Sequence, residues 1–168
     1  MNNDIRKHTI SVLVENRPGV LARVSGLFAR RGYNIDSLAV SATENPTISR
    51  MTMVTMGDDK HLEQVIKQLD KLIDVINIFD HTGEDLIERE ISLIKIKATT
   101  KNRSEIMQIA SVFEAGIASI SPREQTMILE LTGDSDKVDA FLETLSKFSI
   151  LEMVRTGTVA LVRGARMT

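Results

Sequence analysis

The feature that most constrains this chain is a switch of hydrophobic period that occurs twice in the same order. Thr9 to Val14 alternates, with Ile10, Val12 and Val14 on one face, and runs into Asn16-Arg17-Pro18-Gly19; this predicts a strand closed by a tight turn. Val20, Leu21, Val24, Leu27 and Phe28 then recur at helical spacing as far as Arg30-Arg31-Gly32, where basic residues and a glycine stop a helix. Two β-rich runs follow, Ile35 to Ala42 and Ile48 to Met56, joined by Thr43-Glu44-Asn45-Pro46. The proline belongs to the connection because it has no amide to give a ladder. Gly57-Asp58-Asp59 opens a second helix striped by Leu62, Val65, Ile66, Leu69 and Leu72/Ile73, and Val75 to Phe79 reads as a fourth strand. The order is β-α-β-β-α-β, a ferredoxin-like arrangement.

His81-Thr82-Gly83-Glu84-Asp85 is polar and marks a boundary, after which the pattern restarts. Ile91 to Ala98 is a strand; Ile106, Ile109, Ala110 and Phe113 mark a helix that halts at Gly116; Ala118 to Ile120 and Thr126 to Leu131 are strands around a Ser121-Pro122 break. Gly133-Asp134 repeats Gly57-Asp58, again between strand and helix. Val138, Phe141, Leu142, Leu145 and Phe148 stripe the last helix, and one long strand is expected from Ile150 towards Val162 with Gly157 as a bulge. The expected fold class is therefore α+β: two ferredoxin-like βαββαβ domains, residues 1–80 and 88–168, with 81–87 as linker. Sheets of this kind carry helices on one face only, so the other face calls for a second domain or subunit, and a homodimer is expected.

Composition narrows the function classes. Up to Glu84 there are ten basic and eleven acidic residues, and after it eleven and twelve, so each half carries −1. Neither half is the basic, aromatic-bearing surface that nucleic acids require: 4% of residues are aromatic and there is no Trp. The absence of Cys removes disulfides, thiolate metal sites and cysteine nucleophiles. No signal core or membrane-length apolar run is present, so a cytoplasmic protein is expected.

No metal or catalytic motif emerges. His8, His61 and His81 fall at a strand start, a helix first turn and a loop, and each reads as a solvated surface residue. Asp58-Asp59 and Asp134-Ser135-Asp136 sit where helices begin, which assigns them to capping. Met51, Met53 and Met56 read as core filling.

The junction Glu15-Asn16-Arg17-Pro18-Gly19-Val20-Leu21 stands apart, because free amides at a helix start attract a carboxylate and Gly19 permits close approach to the main chain. Asn16 can offer its side-chain oxygen to an ammonium group, the other end of a free amino acid. The competing reading is that Asn16 caps the helix and Pro18 starts it. Arg31-Gly32-Tyr33-Asn34-Ile35 is a second candidate, provided that Asn34 of a second copy faces the Asn16 loop.

The series from Ser11 to Val24, with Gly26-Leu27-Phe28, Arg31 to Ile35, Ser37-Leu38-Ala39-Val40, Ser49-Arg50-Met51-Thr52, Gln68 to Val75 and Glu88-Arg89-Glu90, resembles the acetohydroxyacid synthase (acetolactate synthase) regulatory small subunit, an ACT-domain family. The resemblance spans essentially the whole chain. It implies a non-catalytic, dimeric partner for a catalytic large subunit that itself carries thiamine diphosphate, Mg²⁺ and FAD; this chain would hold none of them. It further implies activation of that subunit and feedback inhibition by a branched-chain amino acid, valine first, bound between two ACT domains. Asn16, Gly19, Val20 and Leu21 would hold the effector from one chain, and Asn34 and Ile35 would close it from the other. Arg17 and Pro18 stand where many relatives have an acidic or small residue. Two other functions share parts of this pattern: a free-standing tandem-ACT amino-acid sensor, and an acylphosphatase-like hydrolase whose phosphate Arg17 would hold.

Overall fold

The computed structural model describes residues 5–166 and 168. In chain order the elements are β1 (Arg6–Glu15), α1 (Val20–Arg31), β2 (Ser37–Ala42), β3 (Ile48–Gly57), α2 (Asp59–Leu69), β4 (Val75–Asp80), β5 (Leu86–Lys97), α3 (Arg103–Val112), β6 (Gly116–Ser121), β7 (Thr126–Gly133), α4 (Ser135–Leu145), β8 (Ile150–Arg155) and β9 (Val159–Val162). The doubled βαββαβ pattern is what the alternation of periods predicts. Two antiparallel sheets result, β2-β3-β1-β4 and β6-β7-β5-β8, with β9 paired to β5.

Each sheet buries one face under its own two helices. In the first, Ile10, Val12 and Val14 of β1 meet Met51 and Met53 of β3, Val24 and Phe28 of α1, and Val65 and Leu69 of α2. Met56, expected in this core, is half exposed instead: it pairs with Lys7 rather than with a core position, and an even-numbered residue cannot share a face with Met51 and Met53. In the second sheet Ile94, Ile96, Met127, Leu129 and Leu131 pack under Ile106, Ala110, Val138, Phe141 and Leu145. Both second-position helices start on an aspartate cap. Asp58 Oδ1 accepts from the His61 amide at 2.8 Å and Asp134 Oδ1 from the Lys137 amide at 2.9 Å.

The far face of the first sheet differs from expectation. Thr9, Ser11, Thr52 and Val54 point away from the helices, yet all are buried. Part of the covering comes from the chain itself. His81 places Nε2 2.9 Å from Ser11 Oγ, the Thr158 amide donates to Ser37 Oγ at 2.8 Å, and Arg163 and Arg166 pair with Asp85 and Glu84. Accordingly the chain divides into one compact unit that ends at Ile87 but also takes in Thr158–Thr168, and a second, Glu88–Gly157. In this division the final eleven residues group with the first unit, whereas the sequence pattern places them in a second domain of 88–168. Nor is 150–162 one bulged strand: β8 stops at Arg155, Gly157 takes a φ of 84°, and β9 starts afresh at Val159.

Two of the three histidines are buried rather than solvated. His8 is held between the Gly57 carbonyl (3.0 Å) and Thr82 Oγ1 (3.1 Å), and His81 between Ser11 Oγ and Glu84 Oε2 (3.2 Å). Both ring nitrogens of each are engaged, which is how a buried imidazole is tolerated. His81 also stacks on Phe79 at 6.4 Å between centroids. His61 is half-buried and lies edge-on to Tyr33, 4.3 Å away.

Candidate effector site

The loop from Glu15 to Gly19 is braced from both sides before any ligand is considered. The Glu15 amide donates to the Asp74 carbonyl at 2.9 Å, the Asn16 amide to the Thr47 carbonyl at 2.8 Å, and Asn16 Nδ2 to the Pro46 carbonyl at 2.9 Å. Asn16 therefore does not cap α1. Its amide group leans on the β2–β3 turn through Nδ2, and Oδ1 has no hydrogen-bond partner among the described residues. The N-cap is Gly19, in the left-handed conformation at φ 86°, with no side chain capping the helix. Glycine adopts that backbone most readily, with Asn and Asp the side chains that tolerate it best.

An uncapped helix start exposes its first donors. Here the Val20 amide makes a long 3.4 Å contact to the Arg17 carbonyl and the Arg23 amide bonds to the Gly19 carbonyl at 3.0 Å, whereas the Leu21 and Ala22 amides meet no acceptor among the described residues. Of the expected anchors, Val20 is thus partly engaged, and its side chain is buried in the core. Leu21 presents both a free amide and a half-exposed side chain.

The fold adds one residue to the junction that the sequence pattern does not mark. Arg23, one helical turn beyond Gly19, grips Asp74 with Nε at 2.6 Å and Nη2 at 2.9 Å. Its remaining nitrogen, Nη1, lies beside Gly19, so close that a β-carbon there would stand 3.2 Å from it. The Arg23 hydrogen bonds hold the Asp74 carboxyl below its ordinary range, and the charge of Arg17 adds to the effect. Asp74 balances the Arg23 charge and leaves Nη1 as a hydrogen-bond donor edge beside Gly19. The i+4 spacing from Gly19 to Arg23 was readable in the sequence; its anchor, 51 residues away, was not.

Asn34 and Ile35 lie elsewhere. Twelve residues of α1, about 18 Å of helix at 1.5 Å each, separate their connection from the Asn16 loop. Asn34 is exposed, its Nδ2 donating to Asp36 Oδ1 at 2.6 Å and its carbonyl accepting from Thr55 Oγ1 at 2.9 Å, while Ile35 packs against the first core. One chain alone does not bring the two halves of the expected site together.

Fold and loop together define a tandem α+β protein of the ACT type, with an amide-lined junction after the first strand. Residues 10–77 match the model of the AHAS small subunit-like ACT domain, and residues 89–164 that of the small subunit of acetolactate synthase. A probable acetolactate synthase small subunit from Archaeoglobus fulgidus is 53% identical over 94% of this chain and 98% of its own length. Another from Methanothermobacter thermautotrophicus is 49% identical over 95% and 94%, and the acetolactate synthase small subunit of Mycobacterium leprae 46% over 95% and 93%. The crystal structure of the acetolactate synthase small subunit from Thermotoga maritima superposes with a TM-score of 0.87 at 41% identity, covering 96% of this chain and all of that one. This chain belongs to the acetolactate synthase small subunit family.

Proposed function

We propose that this chain is the non-catalytic regulator of an acetolactate synthase catalytic subunit, and that it raises that subunit's activity and makes it sensitive to valine. Thiamine diphosphate, Mg²⁺ and FAD belong to the catalytic partner in this reading, and the regulator supplies effector binding alone. The observation that carries the reading is the junction from Asn16 to Arg23, where the Leu21 and Ala22 amides and Asn16 Oδ1 have no partner among the described residues and Arg23 Nη1 lies beside Gly19. Two amides and a guanidinium edge suit a carboxylate; a carbonyl oxygen suits an ammonium group. These are the two ends of a free amino acid. The half-exposed Leu21 gives its side chain an apolar contact.

Asn34 and Ile35 complete the pocket only when a second copy contributes them, because α1 holds them away from the loop within one chain. A homodimer with effector at the ACT–ACT interface follows. An effector that prefers one arrangement of the pair shifts the regulator's hold on the catalytic subunit by its differential affinity, on the order of 1–3 kcal/mol for allosteric couplings. The test is reconstitution: this chain is mixed with the catalytic subunit of the same source and acetolactate formation is followed with and without valine. Activation on mixing, reversed by valine, is expected; no activation overturns the regulatory reading.

A further inference from the structure

The second unit carries an edge strand built unlike the other edge of its sheet. At one edge, β8 bears Glu152 and Arg155, paired to Lys95 and to Glu90 and Asp139. Charges of this kind keep an edge from recruiting further strands. At the other, β6 reads Gly116-Ile117-Ala118-Ser119-Ile120-Ser121, with no charged residue and no proline, and all but Ser121 are exposed. One side of its backbone is bonded to β7; the other has no strand beside it among the described residues.

The order of residues in β6 is a palindrome of types: small, Ile, small, small, Ile, small. An interface on a two-fold axis requires such self-complementarity. Antiparallel pairing of β6 with β6 of another copy, centred between Ala118 and Ser119, sets Ile117 opposite Ile120 and small residues opposite small. In a regular strand this register would fail to keep both helix layers on one side, since residues three apart face opposite ways. Here a bulge intervenes between Ile117 and Ser119, and the pairing partners of Ile117 and Ile120 are Leu129 and Met127, two apart and on one face. Both isoleucines thus turn to the helix side, 38% and 41% exposed, beside α3 with its exposed Val112 and Met107. Just outside the strand stand Glu114 at one end and Arg123 at the other. The same two-fold brings each copy's acid to the end where the other's base lies.

We propose that β6 is a self-association edge, pairing with β6 of a second copy of this chain to continue the sheet, independently of the ACT pair. The chain has no cysteine, so single cysteines report the register without background. Ile117→Cys and Ile120→Cys are made separately in the full chain, then co-expressed and oxidised. Residues directly opposite in such a ladder fall within disulfide reach, about 4.4–6.8 Å between Cα atoms. The expected result is a covalent dimer from the mixed pair in clear excess over either variant alone. In the wild-type chain, the amides of residues 116–121 are expected to exchange more slowly as protein concentration rises. No excess cross-linking in the mixture overturns the proposal. So does exchange at 116–121 that ignores protein concentration, or that slows only when the catalytic subunit is added.

Discussion

At Gly19 the backbone sits at φ 86° because the chain must turn from β1 into α1 without a capping side chain, and Arg23 Nη1 occupies the flank where a β-carbon would go. Gly19→Ala is therefore expected to lower stability by about 1 kcal/mol, the usual cost of an L-residue in that conformation. In a domain of this size that is a fall of about 4–8 °C in the unfolding temperature of the first unit, measured by calorimetry. The Arg23–Asp74 pair supports the same junction, and its pH dependence has a definite sign. Because Asp74 titrates lower in the folded chain than in the unfolded one, its contribution is present above the unfolded carboxyl value, about 3.9, and disappears as pH falls through the folded value. Wild type and Asp74→Asn should then differ most in denaturant midpoint at neutral pH and converge in acid; a gap that stays constant with pH contradicts this. Asn16 and Gly19 were readable in the sequence as a loop of unusual chemistry. What the loop leans on was not, since Pro46, Thr47 and Asp74 reach it only through the fold.

Among the elements, the repeated Gly-Asp junction is the place where sequence pattern and structure agree in most detail. Asp58 and Asp134 both cap, and replacing either with Ala should cost about 1 kcal/mol, read from denaturant unfolding. The glycines before them are not equivalent. A β-carbon on Gly57 would stand 2.5 Å from the His61 ring, itself held against Tyr33, whereas on Gly133 it would meet the flexible Lys137 side chain at 2.7 Å. Gly57→Ala is expected to destabilise clearly more than Gly133→Ala, and equal losses would show that His61 can swing aside. Where alternation was strong the strands were legible. The early start of β5 was hidden because Glu88, Arg89 and Glu90 interrupt any apolar alternation, and Glu90 is buried only through its pairing with β7 and its ion pair to Arg155. The burial of His8 and His81 was hidden for a related reason: their partners Gly57, Thr82 and Ser11 lie 49, 74 and 70 residues away.

For the whole molecule, the tail from Thr158 to Thr168 returns to the first unit and helps cover a sheet face that the sequence leaves for a partner to cover. A chain ending at Gly157 should lose hydrogen-exchange protection in β1 and β3 while β7 keeps its own; uniform loss, or none, would show that the tail is not part of that unit's fold. The duplication itself was plain from the two rounds of strand, helix and paired strands, and the family resemblance ran through both. That the last strand divides at Gly157 and its end changes unit was not, because Val159-Ala160-Leu161-Val162 is as β-prone as the strand before it. Effector control in this protein requires a free amino acid to dock at the α1 start, and titration calorimetry of valine into the intact chain tests that most directly. Wild type should bind, while Gly19→Asp, a residue that tolerates a left-handed backbone but opposes a carboxylate, should bind far more weakly, with Gly19→Asn separating charge from bulk. Equal valine affinity for wild type and Gly19→Asp would contradict the placement of the site.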